Sequence, residues 1–208
     1  MSNCVKAING TSKISQFQRI IYLKSKREVN YKFYSLYDKV WRTDVLQEAW
    51  KQVKSNRGAA GIDGVTIEQI ITTKYEDEMI NKLQQALKDQ NYKFSAIKQV
   101  EIPKAKGGTR VLGIATVKDR VVQTAMKIII EPIFEATFHN CSYGYRPKRN
   151  SKQASIAIRE DLYNKAATVV EIDFKSYFGA PGKAWCFQLV KFPYWKECSP
   201  LTRNRVLG

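Results

Sequence analysis

Hydrophobic side chains recur every three or four positions along much of this chain, which is the spacing of amphipathic helices. The first such stretch runs from Ser12 to about Arg27, and Ser12 is suited to cap its N-terminus. The same spacing predicts a helix through Val45 and Val53 that ends before Asn56, with Asp44 or Thr43 as its candidate N-cap, and Thr66-x-x-Gln69 is a candidate capping box. Further helices are predicted from about Tyr75 to Asp89, from Val117 through Phe134, and from about Ser151 to Leu162.

Aromatic side chains crowd the segment between Tyr31 and Trp41, together with lysine and arginine. Such a mixture can stack on bases and contact phosphates. Phe33, Tyr37 and Trp41, however, are four residues apart and would share one face of a helix. This spacing favours packing in the protein core for these three rings.

Strict alternation replaces the helical spacing around Ile102, and it resumes around Leu112 after the pair Gly107-Gly108. This pattern predicts a β-hairpin. Lys104 and Arg110 flank the turn, and like charges placed close together weaken a hairpin. A bound anion such as a triphosphate would relieve that repulsion; two solvated turn cations are the alternative interpretation.

A glycine-rich loop runs from Ser55 to Gly64. Its glycines permit positive φ angles and allow the backbone to approach a phosphate closely. The loop lacks the Gly-Lys-Ser/Thr ending of a P-loop, which excludes that class of nucleotide site. A second polar segment, Ser142–Arg149, combines tyrosines with arginine and lysine, and it could place rings on bases and cations on phosphates.

The segment 169–178 predicts a strand that ends in a carboxylate. Val170, Ile172 and Phe174 share one face, and Asp173 lies on the other. An aspartate in this position suits Mg²⁺, which prefers carboxylate oxygens and keeps several waters. Turn chemistry is the alternative explanation for an aspartate at a strand end.

Composition adds a strong electrostatic constraint: 35 Lys+Arg oppose 19 Asp+Glu, a net charge of +16. Residues 1–60 hold 12 basic and 4 acidic side chains, residues 61–140 hold 11 and 10, and residues 141–208 hold 12 and 5. Two basic ends around a near-neutral middle predict a polyanionic partner, most simply nucleic acid. The four cysteines show no paired CxxC spacing, which argues against a structural zinc site and favours a reducing cytoplasm. No apolar run approaches the ~20 residues of a membrane span, so no membrane partner is expected.

Seven sequence blocks then occur in order: Tyr34–Lys39, Asn56–Gly64, Ile102–Ile114, Lys118–Gln123, Glu131–Phe134, Cys141–Pro147 and Glu171–Phe178. Together they resemble the N-terminal portion of a bacterial group II intron reverse transcriptase/maturase. The resemblance implies RNA-directed DNA polymerase (nucleotidyltransferase) activity, with intron splicing and mobility as its biology. It also implies a bacterial cytoplasmic location, and binding of intron or template RNA, an RNA/DNA duplex and, in the complete enzyme, a dNTP.

The fold class predicted is α+β: the fingers subdomain of a right-hand polymerase with its first palm strand, helix-rich with a β-hairpin, and truncated. The expected organisation is a basic N-terminal helical extension over 1–29, the fingers over 30–168 and the start of the palm over 169–178. Residues 179–208 are expected to form a divergent tail, either frameshifted or disordered. An exposed palm edge would invite association with another chain.

The resemblance also implies roles for individual residues. Asp173 would be the catalytic, Mg²⁺-binding aspartate with the backbone carbonyl of Phe174 beside it, and Phe178 would stand under the sugar. Lys104 and Arg110 would grip the triphosphate. The residues implied to bind RNA or template are Arg57, Gly58, Arg120, Tyr145, Arg146, Lys148 and Arg149.

The sequence also departs from the family pattern. The second acidic motif of the family, an aromatic-x-Asp-Asp turn, does not occur, and after Phe178 the sequence no longer follows the family. We therefore expect a truncated, catalytically incomplete polypeptide that does not polymerise DNA alone, with Mg²⁺ belonging to the complete enzyme. A non-catalytic RNA-binding fingers module and an inert truncation product are the alternatives.

Overall fold

A computed structural model of the chain describes residues 12–28, 30–105, 107–163 and 170–172. Helices dominate this part of the chain, and one antiparallel hairpin interrupts them. In order, the elements are α1 (Lys13–Arg27), α2 (Tyr37–Val40), α3 (Thr43–Ser55), α4 (Ile67–Thr72), α5 (Glu76–Lys88), β1 (Lys98–Pro103), β2 (Thr109–Ile114), α6 (Val117–Thr137) and α7 (Ser151–Tyr163). The predicted α+β class, helix-rich with a β-hairpin, is confirmed.

The ends of several helices follow the capping residues seen in the sequence. Ser12 accepts a hydrogen bond from the Ser15 amide at the start of α1. Thr66 and Gln69 form the predicted capping box at α4, each side chain accepting from the other residue's amide. These bonds satisfy backbone donors that have no partner inside a helix. Local sequence therefore fixes where α1 and α4 begin.

The hairpin pairs Ile102 with Arg110 and Pro103 with Thr109. The Lys104 amide then donates to the Gly108 carbonyl at 2.9 Å, which continues the ladder by one step. Gly107 and Gly108 have φ angles of 89° and 81°, a conformation that side-chain-bearing residues avoid. The glycine pair thus closes the turn where the sequence predicted it.

The described residues divide into two units, and the boundary falls inside α6 between Ile130 and Glu131. In the unit formed by residues 32–105 and 107–130, α3 packs against α5. A bond across this pair joins the Trp50 indole Nε1, as donor, to Glu76 Oε2 at 2.9 Å. The fully buried side chains on these two helices include Val45, Leu46, Ala49, Met79 and Leu87.

The other unit contains α1, the C-terminal part of α6, the loop 138–150 and α7. Ile21 and Tyr22 of α1 are buried, and Lys26 Nζ donates to the Ala136 carbonyl near the end of α6 at 3.4 Å. A cation suits this position because the last carbonyls of a helix lack internal partners. Helix α7, in contrast, has no buried residue.

Two local predictions from periodicity are wrong. Phe33, Tyr37 and Trp41 do not line one continuous helix, because only the single turn Tyr37–Val40 is helical there. Tyr37 instead donates its hydroxyl to the Leu87 carbonyl at 2.6 Å, a long-range bond that spacing does not reveal.

At α3, neither Thr43 nor Asp44 acts as the N-cap, which is Arg42. The Asp44 carboxylate accepts two bonds from the Arg42 guanidinium, at 3.0 and 2.7 Å, and this hydrogen bonding lowers the Asp44 pKa. A two-pronged bond to arginine is stronger than a neutral cap bond, so it determines the orientation of the carboxylate.

The predicted palm strand is seen only over residues 170–172, which are not part of a strand. Val170 and Ile172 are 76% and 77% exposed. The remaining residues of 169–178 lie outside the described ranges.

Candidate nucleic-acid interface

The hairpin register brings Lys104 and Arg110 to one face. Arg110 lies opposite Ile102, and Lys104 follows Ile102 by two residues, so the two cations are diagonal neighbours. Both are exposed, and no carboxylate among the described residues forms an ion pair with either. The result is a concentrated positive charge beside a glycine turn, which suits a phosphate group.

The glycine-rich loop lies directly against the start of α6. A Cβ atom at Gly61 would be 2.6 Å from Thr116 Cα and 2.8 Å from Thr116 N, so only glycine fits without a backbone shift. Gly64 has a φ angle of 69°, and Arg57 takes the left-handed conformation at 43°. Arg57 and Gly64 are exposed. The loop is therefore held at Gly61, and it presents Arg57 to solvent.

Arg120, in the first turn of α6, contacts the same loop. Its Nη2 donates to the Ala59 carbonyl, and its guanidinium lies so close to Gly58 that a Cβ there would collide with it. Arg120 Nε is buried and has no hydrogen-bond partner among the described residues. Burial lowers the Arg120 pKa, and the negative charge of Asp63 partly opposes that effect. Gly58 and Arg120, both predicted to bind RNA, thus contact each other.

Asp119, beside Arg120, carries a buried hydrogen-bond network to which sequence reasoning assigned no role. Its side chain accepts bonds from the Tyr92 hydroxyl at 2.7 Å, the Ser95 amide at 3.1 Å and the Thr116 hydroxyl at 2.8 Å. The residue is 1% exposed. The spacing Thr116-x-x-Asp119 resembles a capping box and could have indicated half of this arrangement. Burial and the bond to Asp119 raise the Tyr92 pKa.

In the other unit, Arg146 lies inside the loop 138–150. Its Nε and Nη2 donate to Glu135 Oε2 and Oε1 at 3.0 and 2.6 Å, and Nη1 donates to the carbonyls of His139 and Ser142 at 2.7 and 2.8 Å. The guanidinium carbon is 5.2 Å from the centre of the Phe138 ring. The Arg146 side chain is 4% exposed, which makes it the most deeply placed of the residues predicted to bind RNA.

The neighbours of Arg146 face solvent. Tyr145 is 97% exposed, and Lys148 is exposed as well. Both residues have left-handed backbones, with φ angles of 55° and 59°. Arg149 donates to the Asn140 carbonyl at 2.7 Å, and its guanidinium lies 5.1 Å from the centre of the Tyr143 ring. An exposed ring beside two cations is an arrangement that can stack on a base and contact phosphates.

The predicted catalytic residue Asp173, the predicted metal ligand Phe174 and the predicted sugar contact Phe178 lie outside the described residues. Within the described ranges, no group of three His, Cys, Asp or Glu residues is placed to hold a metal ion. Nor is any helix there long and apolar enough to cross a bilayer.

No protein-family model matches this chain. Individual proteins are similar to it. The chain is 32% identical over 171 residues to Protein YkfC of Escherichia coli (strain K12), and this alignment covers 79% of this chain and 44% of that protein. It is also 32% identical over 157 residues to the group II intron-encoded protein LtrA of Lactococcus lactis subsp. cremoris, covering 74% and 25% of the two chains. The third similarity is to the Putative COX1/OXI3 intron 1 protein of Saccharomyces cerevisiae, at 29% over 171 residues, covering 81% and 19%.

The chain thus spans less than half the length of each of these relatives. The alignment to LtrA includes about three quarters of this chain. The resemblance indicated by the motifs is confirmed, and the chain is a relative of the group II intron-encoded proteins.

Proposed function

We propose that this chain binds RNA, in the manner expected for part of a group II intron reverse transcriptase/maturase. The observation that carries the proposal is the group formed by the exposed Tyr145 and Lys148 and the half-buried Arg149, called the 145–149 surface below. Its ring is exposed, its two cations lie on the same short loop, and the chain carries a net charge of +16. Two of the similar proteins are named as intron proteins, LtrA of Lactococcus lactis and the COX1/OXI3 intron 1 protein of Saccharomyces cerevisiae, and these names support RNA as the polyanion.

The chemistry of this surface suits single-stranded RNA better than a duplex. A base stacked on an exposed aromatic ring contributes about 1–3 kcal/mol, and each lysine or arginine on a phosphate releases counterions. Splayed bases are available in loops and single strands and are not available inside an A-form helix. The 145–149 surface would therefore contact an unpaired stretch of intron or template RNA.

The hairpin and the glycine-rich loop are the second contact that we propose. Lys104 and Arg110 would bind a phosphate group, either of the RNA backbone or of a dNTP, because their charges converge beside a backbone that has no side chains at Gly107 and Gly108. Arg57 would add a cation from the neighbouring loop, whose base is held by Gly58 and Arg120.

RNA-directed DNA synthesis, by a complete protein of this family, is the activity in which these contacts would serve. Two Mg²⁺ ions in such a site would stabilise the attacking and leaving oxygens. Asp173 and the Phe174 carbonyl would hold metal, and Phe178 would contact the sugar. We propose that this chain alone supplies the RNA and triphosphate contacts and does not extend a primer.

Binding is tested by fluorescence anisotropy with a short labelled single-stranded RNA over a range of KCl concentrations. Tyr145→Ala should weaken binding at every salt concentration, because a stacking contact carries no charge. Lys148→Ala should also reduce the slope of log K against log [salt] by about 0.7, the value for one contact to a single strand. The matched controls are Tyr163→Ala and Lys88→Ala, which remove an exposed tyrosine and an exposed lysine elsewhere and should leave affinity almost unchanged.

Absence of measurable RNA affinity at low salt would overturn the binding proposal. Primer extension on poly(rA)/oligo(dT) with Mg²⁺ tests the second statement. We expect no product from the chain alone; extension that Asp173→Ala abolishes would contradict this expectation.

A further inference from the structure

The guanidinium of Arg146 is buried and hydrogen-bonded to protein atoms. All three of its nitrogens donate to protein oxygens: two to the Glu135 carboxylate, and the third to the carbonyls of His139 and Ser142. One guanidinium therefore ties the end of α6 to two points of the loop that follows. The planar fork of arginine matches a carboxylate in this two-pronged way, and lysine does not.

Two exposed residues that flank Arg146 are held in an unfavourable backbone conformation. Tyr145 and Lys148 have φ angles of 55° and 59°, which cost free energy for any residue with a Cβ atom. Such conformations persist only where surrounding contacts determine them. Arg146 lies between these two residues in sequence, and its side chain makes four hydrogen bonds within this part of the chain, to which Arg149 adds one to the Asn140 carbonyl.

We propose that Arg146 and Glu135 form an anchor that positions the 145–149 surface and that neither contacts RNA. This inference rests on the proposed RNA-binding function, and it assigns to Arg146 a role different from direct template contact. The anchor holds Tyr145 and Lys148 pointing outward before RNA arrives, so that binding does not have to order the loop. Preorganisation of this kind raises affinity without adding a contact.

The two possible roles of Arg146 predict opposite results for Glu135→Gln. If Arg146 contacted phosphate, removing the adjacent negative charge would strengthen RNA binding. If Arg146 is an anchor, the substitution weakens the bonds that hold the loop, and RNA binding falls. Arg146→Lys separates the roles again: it keeps the positive charge that a phosphate contact needs and loses the two-pronged bond that an anchor needs.

The experiment combines RNA anisotropy with hydrogen exchange of the backbone amides of residues 138–150 in the full chain without RNA. For Glu135→Gln and Arg146→Lys we expect faster exchange in this loop and at least about fivefold weaker RNA binding, which corresponds to the cost of ordering the backbone of one residue. The salt slope should stay as in the wild type, because the loop makes the same phosphate contacts once RNA is bound. Lys148→Ala should show the converse: a smaller slope and unchanged exchange.

Substituting one member of a buried ion pair can unfold a protein, so circular dichroism must confirm that each variant is folded. Glu135→Asp is the second variant: it keeps the charge, shortens the arm that reaches Arg146, and should produce the same two effects. Unchanged exchange, or tighter RNA binding by Glu135→Gln, would overturn the inference. If the wild type fails to bind RNA, the proposed function is lost, and the exchange rates alone decide whether the anchor exists.

Discussion

The buried network around Asp119 should be one of the principal stabilising features of the unit that contains the hairpin. Tyr92→Phe removes one hydrogen bond to a charged acceptor, a bond worth about 1.5–3 kcal/mol. Because Asp119 keeps two other donors, Ser95 and Thr116, the lower end of that range applies, about 1.5 kcal/mol.

Asp119→Ala has a larger effect because it leaves three donors without their acceptor. The Thr116 hydroxyl is buried, so water does not replace its lost bond, whereas Ser95 is exposed and its amide is readily hydrated. We expect a loss of about 3–4 kcal/mol, of the order of a third of the stability of a typical domain. The double variant Tyr92→Phe/Asp119→Ala should lose less free energy of unfolding than the sum of the two single losses, with a coupling energy of about 1 kcal/mol.

Urea denaturation measures these differences, with circular dichroism and tryptophan fluorescence required to give coincident transitions. Tyr75→Phe is the matched control, since among the described residues its hydroxyl bonds only to the surface Lys82, at 3.3 Å. A coupling energy within about 0.3 kcal/mol of zero would show that the bond from Tyr92 to Asp119 does not contribute to stability.

Gly61→Ala should cost about 1–3 kcal/mol, because its Cβ would meet backbone atoms, whereas Gly144→Ala, with nothing within 4 Å, should be neutral in the same urea assay. The raised Tyr92 pKa adds stability that is complete below about pH 10, the unfolded value, and is lost above it, so Tyr92→Phe should lose less stability than wild type in alkaline melts. The bond from Trp50 lowers the Glu76 pKa, which adds stability above about pH 4.3 that is lost on acidification; Trp50→Phe should therefore flatten the acid limb of the melting curve.

Local signals in the sequence predicted the parts of the fold that depend on neighbours along the chain. The N-cap Ser12, the box of Thr66 and Gln69, and the turn at Gly107 and Gly108 all involve partners within a few residues, so their chemistry is visible as spacing. The hairpin register then followed from that turn, and it placed Lys104 and Arg110 on one face.

Contacts between a polar side chain and a partner distant in sequence were not predicted. Asp119 bonds to residues 24 and 27 positions away, and no local pattern reports that distance. Arg146 lies in a loop rich in cations and tyrosines, a composition that favours solvent exposure, yet Arg146 is buried because it pairs with the Glu135 carboxylate in the last turn of α6. Which cation of such a loop is buried depends on the position of that single carboxylate.

Asp119 and Arg120 are adjacent in the first turn of α6, and each holds a different segment. Asp119 fixes the segment around Tyr92 that leads to the hairpin, and Arg120 fixes the glycine-rich loop. The two segments therefore share one support, so any displacement of the first turn of α6 moves the segment that leads to the hairpin and the glycine-rich loop together.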